Sequence, residues 1–149
     1  MAHMDLVREL RHDDIDEFIQ LVRLFEEVFE TKDFIMPAED YLQVLLGKDD
    51  FKVFVVVIDD RVVAGLTGYV LHTYLTTGAY FYVYDLAVKA QYQRQGIGTK
   101  LITAVKEHFR NTNVVEVFVQ ADREDDYALE FYRSTGGIEQ DVVGFSYPF

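Results

Sequence analysis

Apolar positions change period several times along this chain. Leu6 to Leu10 suits a short strand, and after it Ile15, Phe18, Ile19, Val22, Phe25 and Phe29 recur at helical spacing, with Asp14 and Glu17 offering a capping box. A polar connection, Glu30 to Met36, leads to Pro37, which suits the first turn of a second helix. That helix carries Tyr41, Leu42, Leu45 and Leu46, with Gly47 as its stop. The period then shortens. Phe51 to Ile58 is continuously apolar and rich in valine, as a strand buried on both faces would be. Asp59-Asp60 turns it into a second strand, Val62 to Tyr74, and Thr76-Thr77-Gly78 turns that into a third, Ala79 to Val88.

Beyond Gly98 the helical period returns with Leu101, Ala104, Val105 and Phe109 on one face, and Val114 to Val119 reads as another strand. An acidic loop, Arg123 to Asp126, precedes a short helix, Tyr127 to Ser134, which Gly136-Gly137 ends. A last strand pair is expected around Ile138 to Val143 and Phe145 to Tyr147. The pattern predicts an α/β fold in which one domain, residues 1–149, holds a mixed, mostly antiparallel central sheet flanked by about four helices. Met1 to His3 reads as a remnant of expression cloning, with native sequence starting at Met4.

Between the third strand and the following helix stands Gln93-Arg94-Gln95-Gly96-Ile97-Gly98. A strand, a two-glycine loop and a helix N-terminus together make a phosphate cradle: glycine permits a tight turn and close approach, and first-turn amides are unpaired within the helix. The spacing fits neither a Walker loop, which needs Lys-Ser/Thr after a longer glycine span, nor the dinucleotide G-x-G-x-x-G fingerprint. An ordinary strand-to-helix turn is the alternative.

Charge narrows the partners. At a net −12 the chain is a poor match for nucleic acid, which needs clustered Lys and Arg, and a good one for a cationic small molecule, although acidity also serves solubility. The chain has no cysteine, which excludes disulfides and thiolate metal sites and points to the cytoplasm. No metal is expected, since His12, His72 and His108 lack ligand-like spacing. No apolar run is long enough to span a membrane. A homodimer is compatible with the pattern and not required by it.

The order of elements, the Gln93 to Gly98 loop, and the segment Ala128-Leu129-Glu130-Phe131-Tyr132-Arg133-Ser134-Thr135-Gly136-Gly137 resemble the GNAT superfamily of acetyl-coenzyme A-dependent N-acetyltransferases. Tyr84-Asp85-Leu86-Ala87-Val88 and Val119-Gln120-Ala121-Asp122 are more closely similar to the type I aminoglycoside 3-N-acetyltransferases. The resemblance implies a GNAT-fold domain that uses acetyl-coenzyme A. Leu86, Ala87 and Val88 would offer backbone groups to the pantetheine arm, and Gln93, Arg94, Gln95, Gly96, Ile97, Gly98 and Thr99 would hold the pyrophosphate.

The implied reaction moves acetyl to a primary amine of an aminoglycoside, at its 3-amino group, by direct attack in a ternary complex; without cysteine a covalent enzyme intermediate is disfavoured. Two residues suit the proton transfers. Tyr132, in the position of the superfamily's usual general acid, stays protonated at neutral pH; otherwise it is a packed helix tyrosine. Asp85 interrupts an apolar strand, where it either binds the amine and takes its proton or caps backbone amides. Tyr84 lies beside it as a substrate contact.

Asp122, Glu124, Asp125 and Asp126 offer an acidic loop for ammonium groups, with helix capping as the alternative use. Asp125 stands about where many members carry a cofactor-contacting asparagine. Glu27, Glu30 and Asp33, near the first interhelical connection, are further acceptor candidates. Other readings keep the chemistry with a polyamine, another small amine or a protein lysine as acceptor, or keep only coenzyme A binding, as a regulatory module.

Overall fold

The computed structural model describes residues 6–149; the Met1 to His3 stretch read as a cloning remnant lies outside the described residues. The elements in chain order are β1 (Val7–Glu9), α1 (Ile15–Phe29), α2 (Glu39–Leu46), β2 (Phe51–Ile58), β3 (Arg61–His72), β4 (Ala79–Val88), a short 3-10 turn (Ala90–Tyr92), α3 (Ile97–Phe109), β5 (Val114–Val119) and α4 (Asp126–Ser134). The strands form one five-stranded sheet in the order β1-β2-β3-β4-β5. Every pair is antiparallel except β4 with β5, which the single crossover helix α3 joins in parallel, whereas the two helices α1 and α2 bring the chain back antiparallel from β1 to β2.

Local chemistry explains the turns. Asp59 and Asp60 both take positive φ, 51° and 60°, the backbone that lets a two-residue hairpin follow the twist of its strands. The sheet divides the core. Phe51, Val53 and Val55 pack with Phe18, Leu21 and Leu42 beneath α1 and α2, whereas Phe54, Val56 and Phe81 pack with Leu101 and Val105 beneath α3. Because β2 is covered on both faces, its sequence shows no alternation.

Three expectations are corrected. Asp14 starts α1 without capping it: its Oδ2 accepts from the Arg11 N–H (2.7 Å) and from Arg8 Nη1 (3.2 Å), and Glu17 also turns to Arg8 (3.2 Å). The Arg8 cation draws both carboxylates of the expected capping box away from the helix amides. Pro37 stands before α2 rather than in its first turn, since Ala38 keeps extended backbone and the first helical bond runs from the Leu42 N–H to the Ala38 carbonyl (3.1 Å).

The strand pair expected over Ile138 to Val143 and Phe145 to Tyr147 does not form; that segment is exposed and pairs with no strand among the described residues. A period of two makes a strand only against a facing surface. The ion pairs Arg133–Glu139 (2.7 Å) and Arg123–Asp141 (3.3 Å) hold the start of the segment beside α4 instead.

Candidate active site

The ladder between β3 and β4 slips by one residue midway: Gly68 pairs with Val83 but Thr67 with Asp85, so Tyr84 has no partner. A bulge of this kind exchanges the two faces of a strand. Before it, Phe81 and Val83 enter the core beneath α3; after it, Leu86 and Val88 do, and Ala87 joins the core beneath α1. Asp85 therefore lies on the α1 face with Thr67 and Tyr69, not in the apolar core where an unbroken alternation would bury it beside Val83.

At the same level the sheet opens. The parallel ladder of β4 with β5 runs from Ala79–Val114 to Val83–Val119 and stops, which leaves Tyr84 to Val88 without a strand partner on that side. Leu86, Ala87 and Val88 thus lie along an open edge that an amide-bearing arm can extend. One of its acceptors is already used, because Gln93 Nε2 donates to the Val88 carbonyl (2.8 Å) and ties the following loop to the strand end.

Gly96 is the N-cap of α3, and no side chain caps that helix. Its first helical bond runs from the Lys100 N–H to the Gly96 carbonyl (3.1 Å), so the amides of Ile97, Gly98 and Thr99 have no intrahelical partner. Acidic residues occupy the first turns of α1, α2 and α4 but not that of α3, whose positive dipole end is left uncompensated. These features suit a phosphate. The two glycines divide the work differently from the expectation that both serve the ligand. Gly96 takes φ +82° with nothing within 4 Å of a Cβ, but a Cβ on Gly98 would meet Phe131 Cε1 at 2.9 Å, so Gly98 admits α4.

The loop's other side chains are engaged locally. The Arg94 guanidinium lies 5.5 Å from the centre of the Tyr127 ring, and Gln95 Nε2 donates to the Gln91 carbonyl (3.2 Å). Tyr127 Oη donates to Gln93 Oε1 (3.5 Å). Tyr127 therefore links α4 to the loop, a role that an aromatic in a first helical turn does not reveal from sequence.

Asp85 is half-buried, and burial, with no compensating cation or hydrogen bond, pushes its carboxyl above the usual range. Nothing supports its alternative use as a backbone cap. The Tyr132 hydroxyl is pushed up to about 12, first by burial and then by the charges of Asp85 and Asp125. Asp85 and Tyr132 thus lie within electrostatic reach. The effect runs one way because Tyr132 is neutral in the pH range where Asp85 titrates.

Tyr69, across the ladder from Tyr82, also belongs to this environment. Burial raises its hydroxyl pKa, with smaller contributions from Tyr84, Tyr41, Asp85 and Asp50. Tyr84, 59% exposed, meets the Tyr69 ring edge-on (5.8 Å between centres). Tyr82 stacks on Phe118 (4.8 Å) and donates to Gln120 Oε1 (3.0 Å). The alternation of Tyr80, Tyr82 and Tyr84 was the available signal for this aromatic face.

Asp122, Arg123, Glu124 and Asp125 line a surface cleft. Asp125 caps α4, its Oδ1 accepting from the Ala128 N–H (3.0 Å), and Asp126 occupies the first helical turn. Glu27, Glu30 and Asp33 are exposed at and beyond the end of α1, the last two with φ of 52° and 55°. None of the three contributes to the field at Asp85 or Tyr132. Among the described residues no cluster of His, Asp and Glu is arranged to hold a metal ion, and no helix is long and apolar enough to cross a membrane.

Comparison with known proteins agrees with this fold. The aminoglycoside acetyltransferase meta-AAC0020 from an uncultured soil metagenomic sample, solved in complex with sisomicin, is 49% identical, with 96% of this chain and 95% of that chain covered at a TM-score of 0.94. The aminoglycoside acetyltransferase HMB0005, also from an uncultured soil metagenomic sample, is 30% identical, with 96% and 97% covered at a TM-score of 0.89. AAC(6')-Iy, in complex with a coenzyme A bisubstrate analogue, shares the fold at 15% identity, with 96% and 97% covered and a TM-score of 0.80. No curated protein matches the chain. Residues 9–136, from the end of β1 through α4, match the model of the acetyltransferase (GNAT) family, and the chain belongs to that family.

Proposed function

We propose that this protein transfers an acetyl group from acetyl-coenzyme A to the 3-amino group of an aminoglycoside, by direct attack in a ternary complex. The observation that supports the reading is an unpaired carboxylate, Asp85, just past the point where β4 and β5 part, within electrostatic reach of the proton-retaining phenol of Tyr132. The half-identical relative solved with sisomicin supports the acceptor class.

The residues present fit coenzyme A. The open edge at Leu86, Ala87 and Val88 suits its amide arm, and the free amides of Ile97, Gly98 and Thr99 suit its pyrophosphate, with Gln93, Gln95 and Gly96 shaping the loop and Arg94 adding charge. When bound, acetyl-coenzyme A supplies an activated thioester. Asp85 binds the acceptor ammonium and takes its proton, directly or through water, and a raised pKa makes it a better base for that task. Tyr132 keeps its proton at neutral pH and donates it at the departing sulfur.

Tyr84 and the acidic cleft of Asp122, Glu124 and Asp125, with Asp126 behind it, receive the remaining ammonium groups. Glu30 and Asp33, exposed beyond the end of α1, are further contacts for acceptor ammonium groups. The test is release of coenzyme A thiol with gentamicin, kanamycin, spermidine and a lysine peptide as acceptors, with mass spectrometry of the products. One acetyl on the 3-amino group of gentamicin is expected. Release with spermidine or the peptide alone overturns the antibiotic acceptor, and cofactor binding without release from any acceptor favours a regulatory module.

A further inference from the structure

Arg94 takes φ 60°, the left-handed backbone that a residue with a side chain adopts at a cost and keeps only where its surroundings hold it. Gly96, two residues on, is left-handed at φ 82° without that cost. Together these two positions carry the chain from the 3-10 turn to the unpaired amides of Ile97, Gly98 and Thr99. Whatever holds Arg94 therefore also sets the mouth of the cradle.

The hold comes from α4. Tyr127 and Phe131 stand four residues apart and share one face of that helix. Phe131 lies against Gly98 in the first turn of α3, and Tyr127, one turn earlier, reaches the loop itself. Its ring lies 5.5 Å from the Arg94 guanidinium, and its hydroxyl donates to Gln93 Oε1 (3.5 Å), while Gln93 Nε2 donates to the Val88 carbonyl (2.8 Å). One side chain thus engages two consecutive loop residues, and through Gln93 it is tied to the end of β4. At 52% exposed, Tyr127 is not needed to fill the core.

We infer that Tyr127 is a positioning residue for the cofactor loop: it keeps Arg94 left-handed and the cradle at Ile97 to Thr99 formed before a pyrophosphate arrives. The inference rests on the reading of this loop as the pyrophosphate site. A guanidinium lying over a ring keeps its N–H edge for phosphate oxygens, so the contact with Tyr127 and a contact with the ligand are compatible. Without Tyr127 the loop must be ordered at the moment of binding, which subtracts from affinity.

Calorimetric titration of the full chain with coenzyme A, and with pantetheine, which lacks the pyrophosphate, tests the inference. Tyr127→Leu should raise Kd for coenzyme A about 5-fold and leave that for pantetheine within about 2-fold of the parent. Tyr127→Phe keeps the ring beside Arg94 and loses only the long hydrogen bond to Gln93, so it should recover most of the affinity. Both variants should keep the parent's far-ultraviolet circular dichroism. Unchanged coenzyme A affinity in Tyr127→Leu, an equal loss for the two ligands, or an equal loss in the two variants would each overturn the inference while leaving the pyrophosphate site in place. A parent that binds coenzyme A no better than pantetheine would overturn that site, and the inference with it.

Discussion

Phe131 of α4 lies so close to Gly98 of α3 that a Cβ on the glycine would stand 2.9 Å from Cε1 and 3.0 Å from Cζ of the ring. The contact fixes the helix that carries Tyr132 against the helix whose N-terminus is the proposed phosphate cradle.

Gly98→Ala should therefore destabilise the fold. Overpacking of about 1–3 kcal/mol outweighs the gain of roughly 1 kcal/mol or less from replacing a helical glycine, for a net loss near 1 kcal/mol. With Phe131→Leu the ring is gone, and the same alanine should be neutral or stabilising. Urea midpoints of the four proteins decide it; an equal effect of alanine in both backgrounds would mean that the ring contact is not what requires glycine.

Asp85→Asn should be more stable than the parent at neutral pH and yet far less active. Burial raises the folded pKa above the unfolded value of 3.8, so the native state binds more protons between the two values and loses stability as pH rises through that window. Below the window both states are protonated and the penalty vanishes. The stability gain of the asparagine variant should accordingly disappear by about pH 3, while its turnover falls roughly 100-fold with cofactor affinity unchanged. A gain that persists undiminished in acid would point to packing instead of charge.

How much of this was legible depended on range. The strands around Phe51 to Val88 and the loop from Gln93 to Gly98 announce themselves through neighbouring residues, so they could be read directly. The side of the sheet on which Asp85 lies depends on the slip that leaves Tyr84 unpaired, a property of two strands together. Gly98 resembles a ligand glycine until Phe131, distant in sequence, is seen against it. Asp14 and Glu17 satisfy the local capping rule but meet Arg8, which only the fold brings near. The segment after Ile138 has the alternation of a strand and no strand beside it.

Tyr132→Phe removes the phenolic proton while keeping the ring that fills the site. Since the hydroxyl is pushed up to about 12, it stays protonated across the working range, and the parent's rate should show no alkaline loss attributable to it below about pH 10. The phenylalanine variant should lower kcat by about 100-fold with little change in acetyl-coenzyme A binding. It should also leave in place the acid limb of the pH profile, which belongs to Asp85. Full kcat in the variant would leave the departing sulfur without a donor from this residue.

Asp125 has two claims on it, and substitution separates them. Its Oδ1 caps α4 through the Ala128 N–H, so Asp125→Ala should cost about 1 kcal/mol, whereas Asp125→Asn, which keeps an acceptor oxygen, should cost a few tenths at most. Its charge faces the cleft with Asp122 and Glu124. If that charge receives an acceptor ammonium, both variants raise KM for gentamicin more than for a simple monoamine, and added salt narrows the difference by screening the exposed carboxylates. Equal changes in KM for the two acceptors, with the stability order alanine below asparagine preserved, would assign Asp125 to capping alone and leave recognition to Asp122 and Glu124.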